Sequence, residues 1–387
     1  MVLVWAVGAA VLRLTLAAPQ HCGSVTSAQA LTAATAAVQW IERAQKSDGS
    51  YIYEYNVDTG TALPGYDAVR HAGVTMGLYY YAALTGDDSS VRAGDAGLQW
   101  MQGNLLERDG WAAVKDPGSN IVELGASALM LAGLEQRRIA THDLQYDPLM
   151  HALGRFIVLM QDEDGSMTGY FDADAGAPMA GSRSLYFTGE AFWALTMMET
   201  AFPGEGWGQA SQRTAKYIAT RRDEAEDVSF PPWSDQWAAY GLAEMTKWTR
   251  LDDAEVAYGR SLAERYGFMT RYESQRRDDE VSKLLQGPET RAAGMGTWLE
   301  ALDSLWRISK SDPRLGDIEG KLAERAGCAA SMLVGRQVTG AEAVKDPRPQ
   351  LAEGAWARDG VTRMDDQQHA LAGLLRARAV LDSKAGG

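Results

Sequence analysis

YIYEYNVDTGTALPGYDAVRHAG (residues 51–73) puts four tyrosines, Glu54, Asp58, Asp67, Arg70 and His71 into one irregular stretch that runs straight into a helix. From His71 to Asp87 that helix carries no charged residue in between. A helix that is apolar on every side has to be covered on every side. A polar, aromatic-rich loop feeding such a helix is what the lip of a pocket looks like in sequence. Weaker forms of the same pattern return five more times along the chain.

Outward from this stretch, two kinds of helix alternate. Amphipathic helices with one charged face are expected over 28–45, 90–107, 146–161, 208–220, 253–266 and 315–334. Helices nearly free of charge beyond their first turn are expected over 72–86, 124–134, 191–198, 237–242, 292–299 and 367–375. The charged set reads as an outer layer and the charge-free set as an inner one. Inner helices recur every 45–70 residues or so, too long and too uneven for a short solenoid repeat. Strand signals are sparse, and runs such as 51–55 and 166–171 read at most as small hairpins within loops. The expected fold is all-α: twelve helices in six hairpins, closed into a double ring, with no Pro/Gly-rich linker dividing residues 24–387. Connections from outer to inner helices are long and the return turns are short. In a ring of parallel hairpins all the long loops share one end, and long loops on a rigid scaffold are where function usually sits.

Composition narrows the partners. At 46% hydrophobic and 23% charged, the 387 residues bury a large core. The net charge is -14, and no Lys/Arg run covers phosphates, which argues against nucleic acid. Two cysteines, Cys22 and Cys328, exclude a disulfide scaffold and a multi-cysteine zinc site. They read either as unrelated thiols or as one bridge from the start of the chain to its last hairpin, which would require an oxidising compartment. Residues 1–23 begin MVLVWAVGAAVLRLTLAA, apolar apart from Arg13 and Thr15. A secretory signal, a short membrane anchor and a buried first helix are the possible readings, and export or anchoring is favoured. This segment lacks a positive amino-terminal region, is slightly short for a full span, and Pro19 follows the small pair Ala17–Ala18 where cleavage suits it badly.

The pieces WIERAQKSDGSYIYEYN, YDAVRHAGVTMGLYYYAALTGDD, DGWAAVKDPGSNIVELGASALMLAGL, FIVLMQDEDGS, LYFTGEAFWAL and RMDDQQHALAGLLRA resemble the (α/α)6 toroid, or six-hairpin glycosidase-like, proteins. The likeness covers residues 27–381 as an organisation. It implies a bacterial carbohydrate-active protein: a glycoside hydrolase, a polysaccharide lyase or a uronyl epimerase. It supplies no catalytic signature to carry over residue by residue. The Q-x-x-D-G-S elements at 45–50 and 161–166 also resemble repeats of terpene cyclases and prenyltransferases, which share the double ring. The D-x-D-D acid motif of squalene-type cyclases is missed by both Asp172-Ala-Asp174-Ala and Asp365-Asp366-Gln. Lanthionine cyclases need a Cys/His zinc site that two cysteines do not build.

Candidate site residues follow from position, because inner-helix starts in a ring point toward its mouth. They are Arg70 with His71, Glu123, Tyr186 with Glu190, Asp235, Arg291, and Asp365 with His369. Glycosidic hydrolysis by acid/base chemistry uses two carboxyls flanking the scissile bond, about 5–10 Å apart. Glu190 precedes Ala191-Phe192-Trp193, an apolar setting that raises a carboxyl pKa, and is expected as the general acid. Asp235, between Trp233 and Trp237, is expected as the second carboxylate. Either acid reads equally as a helix-start acid that stabilises the macrodipole. Arg70 suits a carboxylate-bearing sugar through its fork, and His71 would relay a proton; alternatively Arg70 pins the loop and His71 is a satisfied first-turn donor. The pair Asp365/His369 lies one turn apart on one face, but no third ligand is evident, so no metal and no cofactor are expected. The aspartates of Asp48-Gly49, Asp109-Gly110 and Asp164-Gly165 read as turns. Tyr51, Tyr53, Tyr55, Trp111, Tyr170, Trp233, Trp237 and Trp356 lie in or beside long loops and are expected, with Tyr66, to form a saccharide platform.

The expectation is therefore an exported or membrane-anchored toroid that binds a saccharide at its long-loop end. Its expected activity is hydrolysis of a glycosidic bond in an acidic or cell-surface polysaccharide. A uronyl lyase or C5-epimerase, a non-catalytic saccharide-binding or assembly protein, and an isoprenoid cyclase are the alternatives, in that order.

Overall fold

The structure is a computed structural model that describes residues 2–229, 233–277 and 279–385. In chain order its helices are α1 (Val2–Thr15), α2 (Ser27–Ala44), α3 (Ala68–Thr85), α4 (Asp88–Gln102), α5 (Leu124–Thr141), α6 (Asp147–Leu159), α7 (Phe187–Ala201), α8 (Trp207–Thr220), α9 (Arg222–Ala225), α10 (Gln236–Met245), α11 (Asp253–Ser274), α12 (Glu280–Gln286), α13 (Ala292–Ser311), α14 (Glu319–Arg336), α15 (Gly340–Ala343) and α16 (Met364–Ala385). Helices α3, α5, α7, α10, α13 and α16, which contain the charge-poor stretches, each pack on the next, and α16 returns to α3. They form a closed inner ring. The amphipathic helices α2, α4, α6, α8, α11 and α14 lie outside them. This is the (α/α)6 toroid.

Local chemistry places the helix ends. Asp67 caps α3 by accepting the Arg70 N–H, and Gly86 ends it in the left-handed conformation at φ 72°. Thr26 with Gln29 and Asp252 with Glu255 form capping boxes at the starts of α2 and α11. On α2 the buried face is largely alanine (Ala30, Ala33, Ala34, Ala37), so the helix approaches its neighbour closely. That neighbour is chiefly α16 and not α3. The tertiary hairpins are therefore inner-then-outer pairs, such as α3 with α4 and α7 with α8. The two ends of the chain supply the sixth pair.

Among the described residues eight short strands stitch the long loops together: β1 (Glu54–Asn56), β2 (Thr61–Leu63), β3 (Leu105–Arg108), β4 (Trp111–Val114), β5 (Ile121–Glu123), β6 (Tyr170–Asp172), β7 (Ala177–Pro178) and β8 (Val361–Arg363). Antiparallel β1 and β8 pair the first loop with the last, Tyr55 opposite Thr362. Likewise β5 and β6 join the second loop to the third, Val122 opposite Phe171. The loops are thus fixed at one end of the ring, and β5 and β8 deliver the chain directly into α5 and α16.

Residues 16–22, which the sequence assigns to the amino-terminal segment, are fastened to the outside of the ring. Gln275 donates from Nε2 to the Leu16 and Ala18 carbonyls at 3.1 and 2.7 Å. Cys22 and Cys328 are disulfide-bonded, linking this strap to α14.

Candidate active site

A cavity of about 680 Å³ opens at the long-loop end, and its wall is made mainly by the starts of the inner helices. Nine of the expected residues line it: Arg70, Glu123, Tyr186, Glu190, Trp233, Trp237, Arg291, Asp365 and His369. Helix-start position was thus a sound guide to the cavity. It was a poor guide to role, which depends on whether each side chain is already committed to its own helix.

Asp235 is committed. Its Oδ1 accepts the N–H groups of Trp237 and Ala238 at 2.9 and 3.1 Å, capping α10. Its Oδ2 accepts from Arg222, which also donates to Glu226 at 3.3 Å and to the Leu185 carbonyl at 2.5 Å. Both Asp235 and Arg222 are buried, and Asp235 does not line the cavity. The expectation of a second catalytic carboxylate at Asp235 is corrected: the residue anchors α10 and the loop before it.

Glu190 is uncommitted. It lies in the first turn of α7, buried, and its Oε2 has no hydrogen-bond partner among the described residues. A Cβ on Gly125 would sit 2.2 Å from that oxygen, so the glycine at the start of α5 is what leaves room for the carboxyl. Burial, then the negative charges of Asp235, Asp67 and Glu123, push the Glu190 carboxyl well above its ordinary range. Glu123 stands two residues before Gly125, at the end of β5, and makes no cap to α5. Burial, then Asp67 and Asp116, push it up to about 7. Two proton-holding carboxyls therefore share one wall.

The facing wall is cationic as well as acidic. Asp365 opens α16 between two guanidiniums, Arg70 Nε at 3.6 Å and Arg363 Nε at 3.3 Å. Tyr53, which does not line the cavity, holds Arg70 by its hydroxyl and by its ring face, 5.0 Å from the guanidinium carbon. Arg291 is spent on Asp366, which also accepts the Ala293 N–H and so ties α13 to α16. His369 lines the cavity with Nδ1 at 3.2 Å from both oxygens of buried Glu300. Although burial opposes its charge, Glu300, Asp365 and Asp366 hold the imidazole above its ordinary value. Its Nε2 has no hydrogen-bond partner among the described residues.

Tyr186 and Trp233 meet edge to face, 5.2 Å between centroids, beside Trp237, which stacks on Trp193 at 5.5 Å. Trp298 adds a further ring to the lining. The Trp233 Nε1, Gln236 Nε2 and Gln368 Nε2 atoms line this space, buried and without partners, as Glu190 Oε2 does. Buried polar groups are rarely left so. Sequence reading missed Gln236, Gln368, Asp67, Arg363 and Trp298, although four of the five stand at or next to the same helix starts.

The remaining expected residues are structural. His71 is fully buried; its Nε2 donates to the Gly97 carbonyl at 2.9 Å and its Nδ1 meets the Tyr66 hydroxyl at 2.6 Å. Burial pushes it down to about 4, so it carries no charge near neutrality, and the proton-relay expectation is corrected. Tyr51 is buried with its hydroxyl on Thr75, and Tyr55 is buried in β1. Trp111 packs on Phe156 and Phe171, each at 5.3 Å, and Tyr170 sits edge-on to Phe187. Tyr66 faces a separate shallow groove with Trp100. Trp356 is buried too, its Nε1 donating to the Leu333 carbonyl at 2.8 Å. The saccharide platform expected of these four tyrosines and two tryptophans is corrected to loop packing, because none of them lines the cavity. Among the described residues no group of three or more His, Cys, Asp or Glu is arranged to hold a metal ion.

No protein-family model and no curated protein matches the sequence. Solved structures do match in fold. A cellobiose 2-epimerase from Spirochaeta thermophila is similar at TM-score 0.63 and 12% identity, over 93% of this chain and 97% of that one. An unsaturated glucuronyl hydrolase specific for heparin is similar at 0.61 and 13% identity, over 91% and 97%. A family 76 α-mannanase from Bacteroides thetaiotaomicron is similar at 0.58 and 11% identity, over 92% and 96%. The chain has the (α/α)6 toroid architecture of the six-hairpin glycosidase-like proteins.

Proposed function

We propose that the cavity is the active site of a carbohydrate-active enzyme that cleaves a glycosidic bond. Glu190 carries the proposal: a buried, proton-holding carboxyl with an unpartnered oxygen at the wall of a cavity large enough for sugar rings. It donates its proton to the leaving oxygen as the glycosidic C–O bond breaks, while water supplies the oxygen that bonds the anomeric carbon and gives its proton to a carboxylate. Asp365, on α16, replaces Asp235 as the second carboxylate. In the ring order α3, α5, α7, α10, α13, α16 it stands opposite α7, so a glycosidic bond held between them is flanked by both acids. Tyr186, Trp233 and Trp237 offer ring faces for sugars, and Gln236 and Gln368 offer amide donors for hydroxyls. Arg70 and Arg363 favour a substrate with a carboxylate nearby. The similar solved structures, which include hydrolases and an epimerase of sugars, support the same class. The Cys22–Cys328 bridge supports an exported protein.

His369 favours a second reading. An imidazole backed by Glu300 and open to the cavity on its other nitrogen suits proton abstraction from a sugar carbon beside a carboxylate, as in a uronyl lyase or C5-epimerase. A panel of neutral and acidic polysaccharides incubated with wild type, Glu190→Gln and His369→Asn separates the two. Hydrolysis predicts reducing ends from wild type and a loss of roughly 10²–10⁴-fold in Glu190→Gln. Unsaturated or C5-inverted products that survive Glu190→Gln but vanish in His369→Asn refute hydrolysis.

A further inference from the structure

Helix α1 belongs to neither ring. Its 14 residues read VLVWAVGAAVLRLT, and every side chain from Val4 to Leu14 is exposed. Val4 is 74% exposed and Trp5 77%. Eleven consecutive exposed positions cover every direction around a helix, so α1 is apolar on all sides except at Arg13. It touches the rest of the chain at its base and along α12. There Val281 and Leu284 are also exposed, 53% and 84%. Phe268, 56% exposed on α11, lies seven residues before Gln275, which holds the strap. Helix α1 and the exposed apolar residues of α12 that it meets form an apolar ridge, and α12 ends five residues before Arg291, which lines the cavity. Because α12 lies in the long loop between α11 and α13, the ridge is on the long-loop end of the ring, where the cavity opens.

The geometry decides what covers such a ridge. A protein partner or a second copy buries one stripe of a helix and leaves the opposite side wet, whereas lipid surrounds it. At about 1.5 Å per residue α1 is about 21 Å long, short of the roughly 30 Å hydrocarbon core. No helix among the described residues is long and apolar enough to cross a membrane. Arg13 in the last turn of α1 is exposed, as are Arg271 and Arg277 on either side of strap-holding Gln275, although the chain as a whole carries -14. Exposed acids among the described residues near them include Asp279 and Glu280, at the start of α12. Long cationic side chains at the foot of an apolar helix meet lipid headgroups.

We propose that α1, together with Val281, Leu284 and Phe268, enters one leaflet of a lipid bilayer, and that this docking holds the cavity mouth at the membrane surface. The cavity then takes saccharide attached to, or lying against, that surface. The docking itself is independent of which reaction the cavity performs.

Flotation of the full, disulfide-intact chain with vesicles tests it, using phosphatidylcholine alone and with added phosphatidylglycerol. Wild type floats with both and more completely with the anionic lipid. Trp5→Glu and the pair Val281→Glu/Leu284→Glu each weaken partition by roughly tenfold or more, with unaltered thermal melting. Four results overturn the proposal: wild type that stays with the soluble fraction; rim variants that float like wild type; light scattering that shows α1 covered by a second copy with no vesicle uptake; or a mature protein from its host that begins beyond Thr15.

Discussion

Glu190 and Asp235 are both acids at the start of an inner helix, and each stands in sequence beside aromatic residues. Their fates part over a few residues of helix position. Asp235 is the N-cap itself, where a short carboxylate reaches two backbone N–H groups. Glu190 lies inside the first turn, beyond capping reach, and its longer side chain projects against Gly125. Nothing in the sequence states which residue is the cap, since that depends on where the preceding loop turns helical. The Glu190 environment also has a stability consequence. Its folded pKa lies above the ordinary 4.5, so the folded protein keeps a proton that the unfolded chain releases. Stability is therefore lost as pH rises through and above 4.5, until the folded group also ionises. Glu190→Gln is neutral at every pH and removes that cost. Its Tm is expected to exceed wild type at pH 7.5, by the equivalent of about 1–3 kcal/mol, and to converge on wild type toward pH 4.5. Calorimetry across that range checks this; an E190Q Tm at or below wild type at pH 7.5 means the carboxyl is not strained by burial.

At the scale of elements, the two Q-x-x-D-G-S segments turn out to be clips between adjacent outer helices. Gln45 follows α2 and donates to the Ala93 carbonyl of α4 at 2.9 Å; Gln161 follows α6 and donates to the Ala210 carbonyl of α8 at 2.8 Å. In each turn the aspartate accepts the N–H of the following serine, Asp48 from Ser50 and Asp164 from Ser166. The turn reading of these aspartates was correct and incomplete. Both glycines have positive φ, and a Cβ on Gly165 would lie 2.2 Å from the Arg213 carbonyl oxygen of α8. Gly165→Ala is therefore expected to lower stability by about 1–3 kcal/mol through both strain and that clash. A denaturation midpoint equal to wild type would show that the clip bears no load. The same lesson applies to the aromatic loop at 51–73. Its tyrosines were legible as a cluster, but only Tyr55 lies in a strand, and the fate of the others is set by partners elsewhere, Thr75 for Tyr51 and Arg70 for Tyr53.

For the whole molecule, the ring closes by non-local contacts: α16 packs on α3 and α2, and β1 pairs with β8. The Cys22–Cys328 bridge spans 306 residues of the chain and secures the same seam from outside. Reduction, or Cys328→Ser, is expected to cost about 2–5 kcal/mol of stability and to loosen residues 16–22 first. Urea denaturation with and without reductant, combined with hydrogen exchange of the strap, measures both; an unchanged midpoint would assign the bridge no stabilising role. By itself the sequence determined the helical class, the two layers and the end at which the site lies. Those are matters of which face of each helix is apolar and how long each loop is, and both are local. Only the tertiary structure decided which acids remain free, which histidine faces the cavity and which cysteine reading holds. Those depend on partners 13 to 306 residues away, such as Arg222 for Asp235, Glu300 for His369 and Cys328 for Cys22. Pairing across a closed ring is set by how its elements pack together and leaves no periodic trace along the chain.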